Sequence, residues 1–254
     1  MTPRLDIVIP VYNEGGVIVP TLTSLRAGLK TPFRVLICYD REDDDTLTTI
    51  RAHPDLMTTM DIVFVRNAGR GAHGAVLTGF AAAQAPQVLM FPADDDYNAG
   101  MLDAMVAKAE AGCAIVCASR FMAGGSMVGC PWLKATLVCG ANFTLYHLAG
   151  LPTHDASNGF RLFSRRVLDT IVIESDRGFC YSIELLVKSH RLGLKIGEVP
   201  ARWFERQAGQ SRFRVLRWLP AYLRWYLYAF ATTWLRRPAS TVPLRSDRTV
   251  TPTA

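Results

Sequence analysis

Short apolar runs rich in valine and isoleucine recur along the first half of this 254-residue chain, and each is followed by a longer stretch with helical spacing. This alternation predicts βαβ units and therefore an α/β fold with a parallel sheet that helices bury on both faces. A chain of this length can bury such a core as one domain. The runs are LDIVIPVY (5–12), FRVLICY (33–39), DIVFV (61–65), QVLMF (87–91) and CAIVCAS (113–119), and helices are predicted over 15–30 and 72–84.

Polar residues follow several of the predicted strands, where ligands bind in open α/β sheets. They are Asn13 with Glu14, Asp40, residues 67–74, and the run from Asp94 to Asp96. Three carboxylates in a row are by themselves typical of a solvated loop. A nucleotide diphosphate, however, needs its charge neutralised, and Mg²⁺ or Mn²⁺ held by one or two carboxylates and the phosphates is the usual solution. Asp94 and Asp96, two apart in extended chain, should point to the same side and face one metal.

The segment GRGAHG, residues 69–74, matches the G-x-G-x-x-G pattern of dinucleotide-binding loops, with Asp94 twenty residues beyond its last glycine. Two features disfavour that interpretation. The motif follows the third predicted strand instead of the first, and a triplet of acids would repel a pyrophosphate unless a cation lay between them. We therefore favour a metal-assisted diphosphate site over a nicotinamide site.

The net charge of +6 suggests an anionic partner, and the basic residues are concentrated near the C-terminus. Between Arg202 and Arg237 there are eight arginines and one acid, Glu205, interspersed with tryptophan, tyrosine, phenylalanine and leucine. From 212 to 237 the apolar residues recur at steps of three and four, which predicts an amphipathic helix. We expect this helix to lie in the interface of an anionic membrane instead of binding nucleic acid, with core packing as the alternative. The Ser/Thr/Pro-rich tail, 238–254, is predicted to be disordered.

The six cysteines form no C-x-x-C pair, and two of them, Cys38 and Cys117, lie inside predicted strands. This pattern favours reduced, buried thiols over a disulfide framework or a zinc site. The N-terminal segment has neither the charged start nor the long apolar stretch of a signal peptide, so we expect the protein to work inside the cell.

Several ordered motifs together resemble the family 2 glycosyltransferases, and most closely the polyprenyl-phosphate sugar transferases of the dolichol-phosphate mannose synthase type. The resemblance covers roughly residues 5–215. The motifs are VIPVYNE (8–14), Asp40 followed by DDDT, NAGRGAHGA (67–75), PADDD (92–96), ASRF (118–121), DASNGFRL (155–162) and EVPARWFERQAGQSRF (198–213).

The resemblance implies a GT-A-type nucleotide-diphospho-sugar transferase fold and a role for each matching residue. The catalytic residues would be Asp94 and Asp155. Asp94, with Asp96, would hold Mg²⁺ or Mn²⁺, and Asp155 would lie near the reaction centre, where it orients the acceptor or acts as a base. The donor-binding residues would be Pro10, Tyr12, Glu14, Asp40 and Asp94. The residues that bind the acceptor and its phosphate would be Arg120, Lys134, Arg206 and Arg212.

The sequence departs from the family pattern in three regions. Pro92 stands where the first acid of the D-x-D metal motif is common, so a metal must rely on Asp94 with Asp96 or on Asp94 alone. Tyr39 replaces one acid of an Asp-Asp pair, and REDD replaces the small residues that normally follow it, which leaves the nucleotide base open. Arg212 replaces a frequent lysine and can still bind phosphate bidentately.

The sequence thus predicts a metal-dependent, inverting hexosyltransferase at the cytoplasmic face of the cell membrane, with a catalytic domain over 1–211. Its donor would be a nucleotide-diphospho-sugar, GDP-mannose first or a UDP-hexose, and its acceptor a lipid phosphate such as polyprenyl phosphate. Three alternatives stay open: a glycosyltransferase with a soluble or other acceptor, a metal-dependent nucleotidyltransferase, and a binding module without catalysis.

Overall fold

The computed structural model describes residues 2–205 and 215–245, with the backbone alone for 215–219. The helices are α1 Gly15–Gly28, α2 Asp45–Arg51, α3 Pro54–Thr59, α4 Gly71–Ala82, α5 Leu102–Glu110, α6 Trp132–His147, α7 Arg165–Thr170, α8 Cys180–Arg191 and α9 Val215–Thr233, and short 3₁₀ turns cover Ala99–Met101 and Ala239–Thr241. The strands are β1 Leu5–Pro10, β2 Phe33–Tyr39, β3 Ile62–Arg66, β4 Gln87–Met90, β5 Ile115–Ser119, β6 Ser126–Val128, β7 Arg161–Ser164, β8 Ile196–Pro200 and β9 Arg202–Phe204.

The central sheet has seven strands in the order β3-β2-β1-β4-β7-β5-β8. All neighbouring pairs are parallel except the two that β7 makes with β4 and β5. The five predicted apolar runs became β1 to β5, so the mostly parallel α/β sheet predicted from the sequence is confirmed. Strand β7 was not expected, because its four residues lie inside the DASNGFRL motif and carry no separate periodic signal.

Apolar side chains bury both faces of this sheet. Helices α1, α2, α3 and α5 pack on one face, and α4, α7, α8 and parts of α6 and α9 pack on the other. The fit is close at Gly79 in α4, where an added Cβ would lie 2.4 Å from Val8 Cγ1 and 2.7 Å from Cys38 Sγ. Only glycine lets α4 approach β1 and β2 this closely, which explains a small residue in that helix.

The antiparallel strand β7 determines which loops meet. Arg161, at the start of β7, pairs with Met90 at the end of β4 and with Cys117 in β5. The acidic loop after β4, the segment after β5 and the DASNG loop before β7 therefore share the carboxyl edge of the sheet. A second, two-stranded parallel sheet of β6 and β9 adjoins them.

The C-terminal region packs on the domain. In α9, Trp225 and Ala229 are buried against the second core face, while Leu223 and Leu227 are exposed. No described helix has the length and apolarity needed to cross a bilayer. The disorder expected from 238 onward needs correction for its first residues, because Val242 is buried and a β-bridge joins Leu244 to Ile171. The rest of that tail, 246–254, lies outside the described residues.

Candidate functional site

The ends of β1 and β2 form a small polar recess. Its volume is about 170 Å³, and it is lined by Tyr12, Asn13, Arg41, Asp43 and Asp44. Asn13 has a positive φ of 53°, and its N–H donates to the Asp44 carboxylate at 3.0 Å. Asp44 also caps α2 through the Thr46 N–H. These bonds fix the backbone that presents Tyr12, whose side chain is exposed.

Pro10 and Glu14, two further predicted donor residues, lie on either side of Tyr12 and Asn13 in the chain. Pro10 is the last residue of β1 and pairs with Cys38. Glu14 precedes α1, and its N–H donates to Thr46 Oγ1 at 2.9 Å. The start of α1 is thus joined to the start of α2, next to the predicted donor-binding residues Tyr12 and Glu14.

Asp40 organises the glycine-rich loop. Its carboxylate accepts from the Asn67 side chain and, at 3.0 Å, from the N–H of Gly71. The Asn67 amide oxygen in turn accepts from Gly69 N–H at 2.8 Å, and a Cβ on Gly74 would lie 2.9 Å from it. Two loop N–H groups that could hold a pyrophosphate are therefore already satisfied by side chains, and the glycines make room for Asn67. This arrangement supports the interpretation, made from the sequence, that residues 69–74 do not form a dinucleotide-binding loop.

The three aspartates after β4 differ in exposure. Asp95 is buried, Asp94 is half-buried and Asp96 is exposed. Asp95 accepts from the Asn98 N–H at 2.9 Å and from the Asn98 side chain at 2.6 Å. Burial raises the pKa of Asp95 to about 6, against the lowering effect of its hydrogen bonds with Asn98 and Tyr97.

Asn98 joins the acidic loop to β9. Its amide oxygen accepts from the Arg202 N–H at 3.0 Å, and its amide nitrogen donates to the Arg202 carbonyl at 2.9 Å. The Tyr97 and Phe204 rings also meet edge to face. The chain that leaves β9 toward Arg206 and Arg212 therefore starts beside the acidic loop, although both arginines lie outside the described residues.

Asp94 and Asp96 fit a hard divalent cation in donor type, since Mg²⁺ and Mn²⁺ prefer carboxylate oxygens. Within residues 2–205 and 215–245, no group of three or more His, Cys, Asp or Glu side chains is arranged to hold a metal. A cation here would need further oxygen ligands from a bound molecule. A diphosphate supplies such oxygens.

Asp155 is fully buried and forms a close pair with Arg120. Its carboxylate accepts from the Arg120 backbone N–H, Nε and Nη2 at 3.0, 2.7 and 3.0 Å. It also accepts from the Ser157 N–H and hydroxyl and from the Asn158 N–H. Burial alone would raise the pKa of Asp155, but Arg120 and these hydrogen bonds outweigh it and hold the pKa below its ordinary value.

The number of hydrogen-bond donors around the Asp155 carboxylate bears on the role of this residue. A general base needs a lone pair directed at the reacting proton, and here six donors surround both oxygens. The geometry favours the orienting role of Asp155 over a role as base. It also joins Asp155 and Arg120, to which the sequence gave separate roles, in one ion pair. Behind them lies a buried residue that the sequence analysis missed, Arg161, which donates to the Ala156 and Ser182 carbonyls at 2.5 Å each.

Lys134, at the start of α6, is also paired. Its ammonium lies 3.2 Å from Glu205 Oε2 and 5.1 Å from the centroid of the Trp203 ring. This contact joins α6 to the end of β9, so the β6–β9 sheet, α6 and the acidic loop are held together.

An open groove of about 680 Å³ runs along α6. It is lined by Phe121, Ala135, Thr136, Cys139, Gly140, Asn142, Phe143, Tyr146, His147 and His154. Asn142 donates to the Ser157 hydroxyl at 3.0 Å, and that hydroxyl also accepts from Arg120. The groove is therefore one side chain away from the Asp155–Arg120 pair.

Comparisons with known proteins agree with this architecture. The model of the Glycosyl transferase family 2 matches residues 6–172. Polyprenol monophosphomannose synthase of Mycolicibacterium smegmatis is 27% identical over 220 residues, which cover 83% of this chain and 81% of that protein. An uncharacterized glycosyltransferase of Mycobacterium bovis is 27% identical over 208 residues, 82% of this chain and 88% of that protein.

Solved structures share the fold at lower identity. Glucosyl-3-phosphoglycerate synthase from Mycobacterium tuberculosis, crystallised with Mn²⁺, uridine diphosphate and glucosyl-3-phosphoglycerate, superposes with a TM-score of 0.63 and 18% identity. The superposition covers 91% of this chain and 80% of that one. At this identity the likeness establishes the fold.

Proposed function

The chain belongs to glycosyl transferase family 2, and from this premise we propose that it transfers a hexosyl group from a nucleotide-diphospho-sugar to a polyprenyl-phosphate-type lipid, with inversion. Mannose from GDP-mannose is the first choice of donor group, because the M. smegmatis relative is a polyprenol monophosphomannose synthase. A UDP-hexose is the second, because the solved M. tuberculosis neighbour holds uridine diphosphate.

The surface of α6 carries the argument for a lipid acceptor. Between Trp132 and Gly140 no side chain of this helix is buried, although the segment has a single charge, at Lys134. Trp132 is 78% exposed and Leu137 is 62% exposed. A helix this apolar normally lies in a protein core or in lipid, and a contiguous exposed apolar surface marks an interaction site. A membrane that holds the acceptor would cover this face.

The residues of the site would act mainly by positioning and by neutralising charge. Asp94 and Asp96 would hold Mg²⁺ or Mn²⁺, which as a Lewis acid stabilises the charge of a departing diphosphate. A lipid phosphate is already ionised near neutral pH, so its attack on the anomeric carbon needs alignment more than a strong base. Asp155, by holding Arg120 beside the groove, would supply that alignment.

The same surface supports a peripheral place at the cytoplasmic face of the cell membrane. The exposed leucines Leu223 and Leu227 of α9 add apolar area near α6, since the Thr144 and Tyr226 hydroxyls of the two helices lie 2.7 Å apart. The exposed apolar side chains of α6 and α9 would enter the headgroup region, and arginines of the basic C-terminal segment would contact lipid phosphates.

A second candidate is transfer of glucose to a small phosphorylated acceptor. It is favoured by the M. tuberculosis neighbour, which was also crystallised with phosphoglyceric acid. A soluble acceptor of that kind would leave the apolar face of α6 without a role, which is why we place it second.

The test is a transfer assay with the full chain, Mn²⁺ and vesicles of phosphatidylglycerol containing polyprenyl phosphate. Radiolabelled GDP-mannose and UDP-glucose are supplied in turn, phosphoglyceric acid replaces the vesicles in parallel reactions, and label is counted in the lipid fraction and in the water-soluble product. We expect label from one donor, its loss in Asp94→Asn, and its retention in Asp176→Asn, a control at an exposed carboxylate. Label that passes only to phosphoglyceric acid, or to no acceptor from either donor, would overturn the lipid proposal.

A further inference from the structure

His154, the residue before Asp155, is held in one orientation by Glu198 of β8. Its Nδ1 lies 2.5 Å from Glu198 Oε1, and because an ionised carboxylate only accepts, Nδ1 carries the hydrogen. The second oxygen, Oε2, accepts from the His154 backbone N–H at 2.8 Å and from the Thr153 hydroxyl at 3.0 Å. The imidazole and its backbone are therefore fixed to the same carboxylate.

Tyr146 of α6 fixes the ring from a second direction. The two rings stack with centroids 4.0 Å apart and planes 24° from parallel. His154 also lines the α6 groove, and 38% of its side chain is exposed. Its Nε2 has no hydrogen-bond partner within the described part of the chain, so a restrained ring presents one unused nitrogen beside the groove.

Of the four cations that the sequence assigned to the acceptor and its phosphate, the two within the described residues, Arg120 and Lys134, are already paired with carboxylates. Arg120 is bound to Asp155 and Lys134 to Glu205. An anionic head group that enters the groove would therefore find the charges of Arg120 and Lys134 already neutralised by carboxylates. An oriented histidine at the groove wall can meet that need.

We propose that His154 recognises the phosphate monoester of the acceptor, with Nε2 and a phosphate oxygen sharing one proton while the attached chain lies along the groove. The inference rests on the proposed function for the class of acceptor. Imidazole changes charge near neutral pH, and the second ionisation of a phosphate monoester lies near pH 6, so the two groups hold one proton between them readily. A phosphodiester has no second ionisation. His154 would thus distinguish the substrate, a monoester, from the product of sugar transfer, a diester.

The test measures binding instead of turnover, with soluble probes on the full chain. Farnesyl phosphate, its methyl diester and glycerol 3-phosphate are titrated calorimetrically at neutral pH into wild type and His154→Gln. The matched control is His53→Gln. His53 lies on the far side of the domain from α6, and its ring bonds to the Thr49 carbonyl. We expect His154→Gln to weaken farnesyl phosphate at least about tenfold, as for loss of a charge-assisted hydrogen bond, and its methyl diester less than about twofold. Far-ultraviolet circular dichroism of the same samples checks that the domain is folded.

A second measurement does not depend on a variant. In wild type labelled with ¹⁵N-histidine, the Nε2 resonance of His154, assigned by its absence in His154→Gln, should move on addition of farnesyl phosphate and stay in place with the diester. The role of His154 would be overturned if His154→Gln bound farnesyl phosphate and its methyl diester with equally reduced affinity, or if the resonance did not move. The proposed function would still stand in that case, provided that wild type binds farnesyl phosphate. If wild type binds glycerol 3-phosphate through His154 but not farnesyl phosphate, the lipid acceptor is wrong and the monoester recognition stands.

Discussion

At the scale of single residues, the Asp155–Arg120 pair has the most direct consequence for stability. The Asp155 side chain is fully buried, and 11% of the Arg120 side chain is exposed. In Asp155→Asn the new amide nitrogen would face donors, and Arg120 would lose its counter-charge. We expect the free energy of unfolding, measured in urea at pH 7, to fall by about 3–5 kcal/mol.

The control for that variant is Asp176→Asn, for which a change within about 0.5 kcal/mol is expected. If Asp155→Asn kept wild-type stability and lost only sugar transfer, Asp155 would act on the substrate directly, and its role as the holder of Arg120 would be wrong.

Asp95 provides a prediction of pH dependence. Because its pKa is raised by burial to about 6 from 3.8, the folded state binds a proton that the unfolded state releases between those values. The contribution of Asp95 to stability is therefore full below about pH 4 and is lost as pH rises through about 6, by at most about 3 kcal/mol. Unfolding in urea from pH 4 to pH 7, without divalent metal, should show a wild-type-minus-Asp95→Asn difference that falls over this window. A difference constant with pH would contradict the raised pKa.

Residue spacing predicted part of this site and could not predict the rest. The sequence singled out Asp94 and Asp96 at the end of β4, and the structure buries Asp95 between them. The contact of Asn98 with Arg202 joins segments 104 residues apart, and that of Glu198 with His154 joins segments 44 apart. No local pattern marks such partners, which is why His154 was not among the residues predicted from the sequence.

At the scale of secondary-structure elements, α6 carries a prediction about membranes. Trp132 and Leu137 expose most of their side chains on this helix. Burying an apolar side chain of this size in lipid contributes about 1.5–3 kcal/mol. Trp132→Ser with Leu137→Ser should therefore reduce the fraction of protein that sediments with phosphatidylglycerol vesicles at least about tenfold.

Met57→Ser is the matched control, because Met57 is an exposed apolar residue of α3 on the other side of the domain. Its sedimentation should equal that of wild type. Equal sedimentation of the α6 double variant and wild type would exclude α6 from the contact and leave α9 as the remaining candidate.

The elements themselves were predictable where packing and local pattern agree. The runs that became β1 to β5 are mostly apolar because the sheet is covered on both faces. Helices α1 and α4 occupy most of the predicted spans, 15–30 and 72–84. Strand β7 was not predictable in the same way, since its position between β4 and β5 is determined by partners distant in the sequence. Whether α9 lies in a membrane interface stays a prediction.

At the scale of the whole molecule, the candidate site consists of separate parts that lie along one edge of the sheet. Loops after β1 and β2 build the polar recess at Tyr12 and Arg41, and the acidic loop after β4 lies between that recess and the Asp155–Arg120 pair. The order of the strands, β2-β1-β4-β7-β5, imposes this sequence of parts. Residues far apart in the chain therefore form one site because the sheet aligns the ends of their strands.

This arrangement predicts that donor binding stabilises the fold only when a divalent cation is present. A ligand that binds the folded state alone at one hundred times its dissociation constant adds about 2.7 kcal/mol to the free energy of unfolding, which for a domain of this size raises the Tm by about 5–10 °C. We expect that shift with GDP-mannose or a UDP-hexose and Mn²⁺, and less than about 1 °C with EDTA, because Asp94 and Asp96 would then repel the diphosphate. Asp94→Asn should lose the shift and Asp176→Asn should keep it. A shift of equal size in EDTA would mean that basic residues alone neutralise the diphosphate, and the acidic loop would then have no metal to hold.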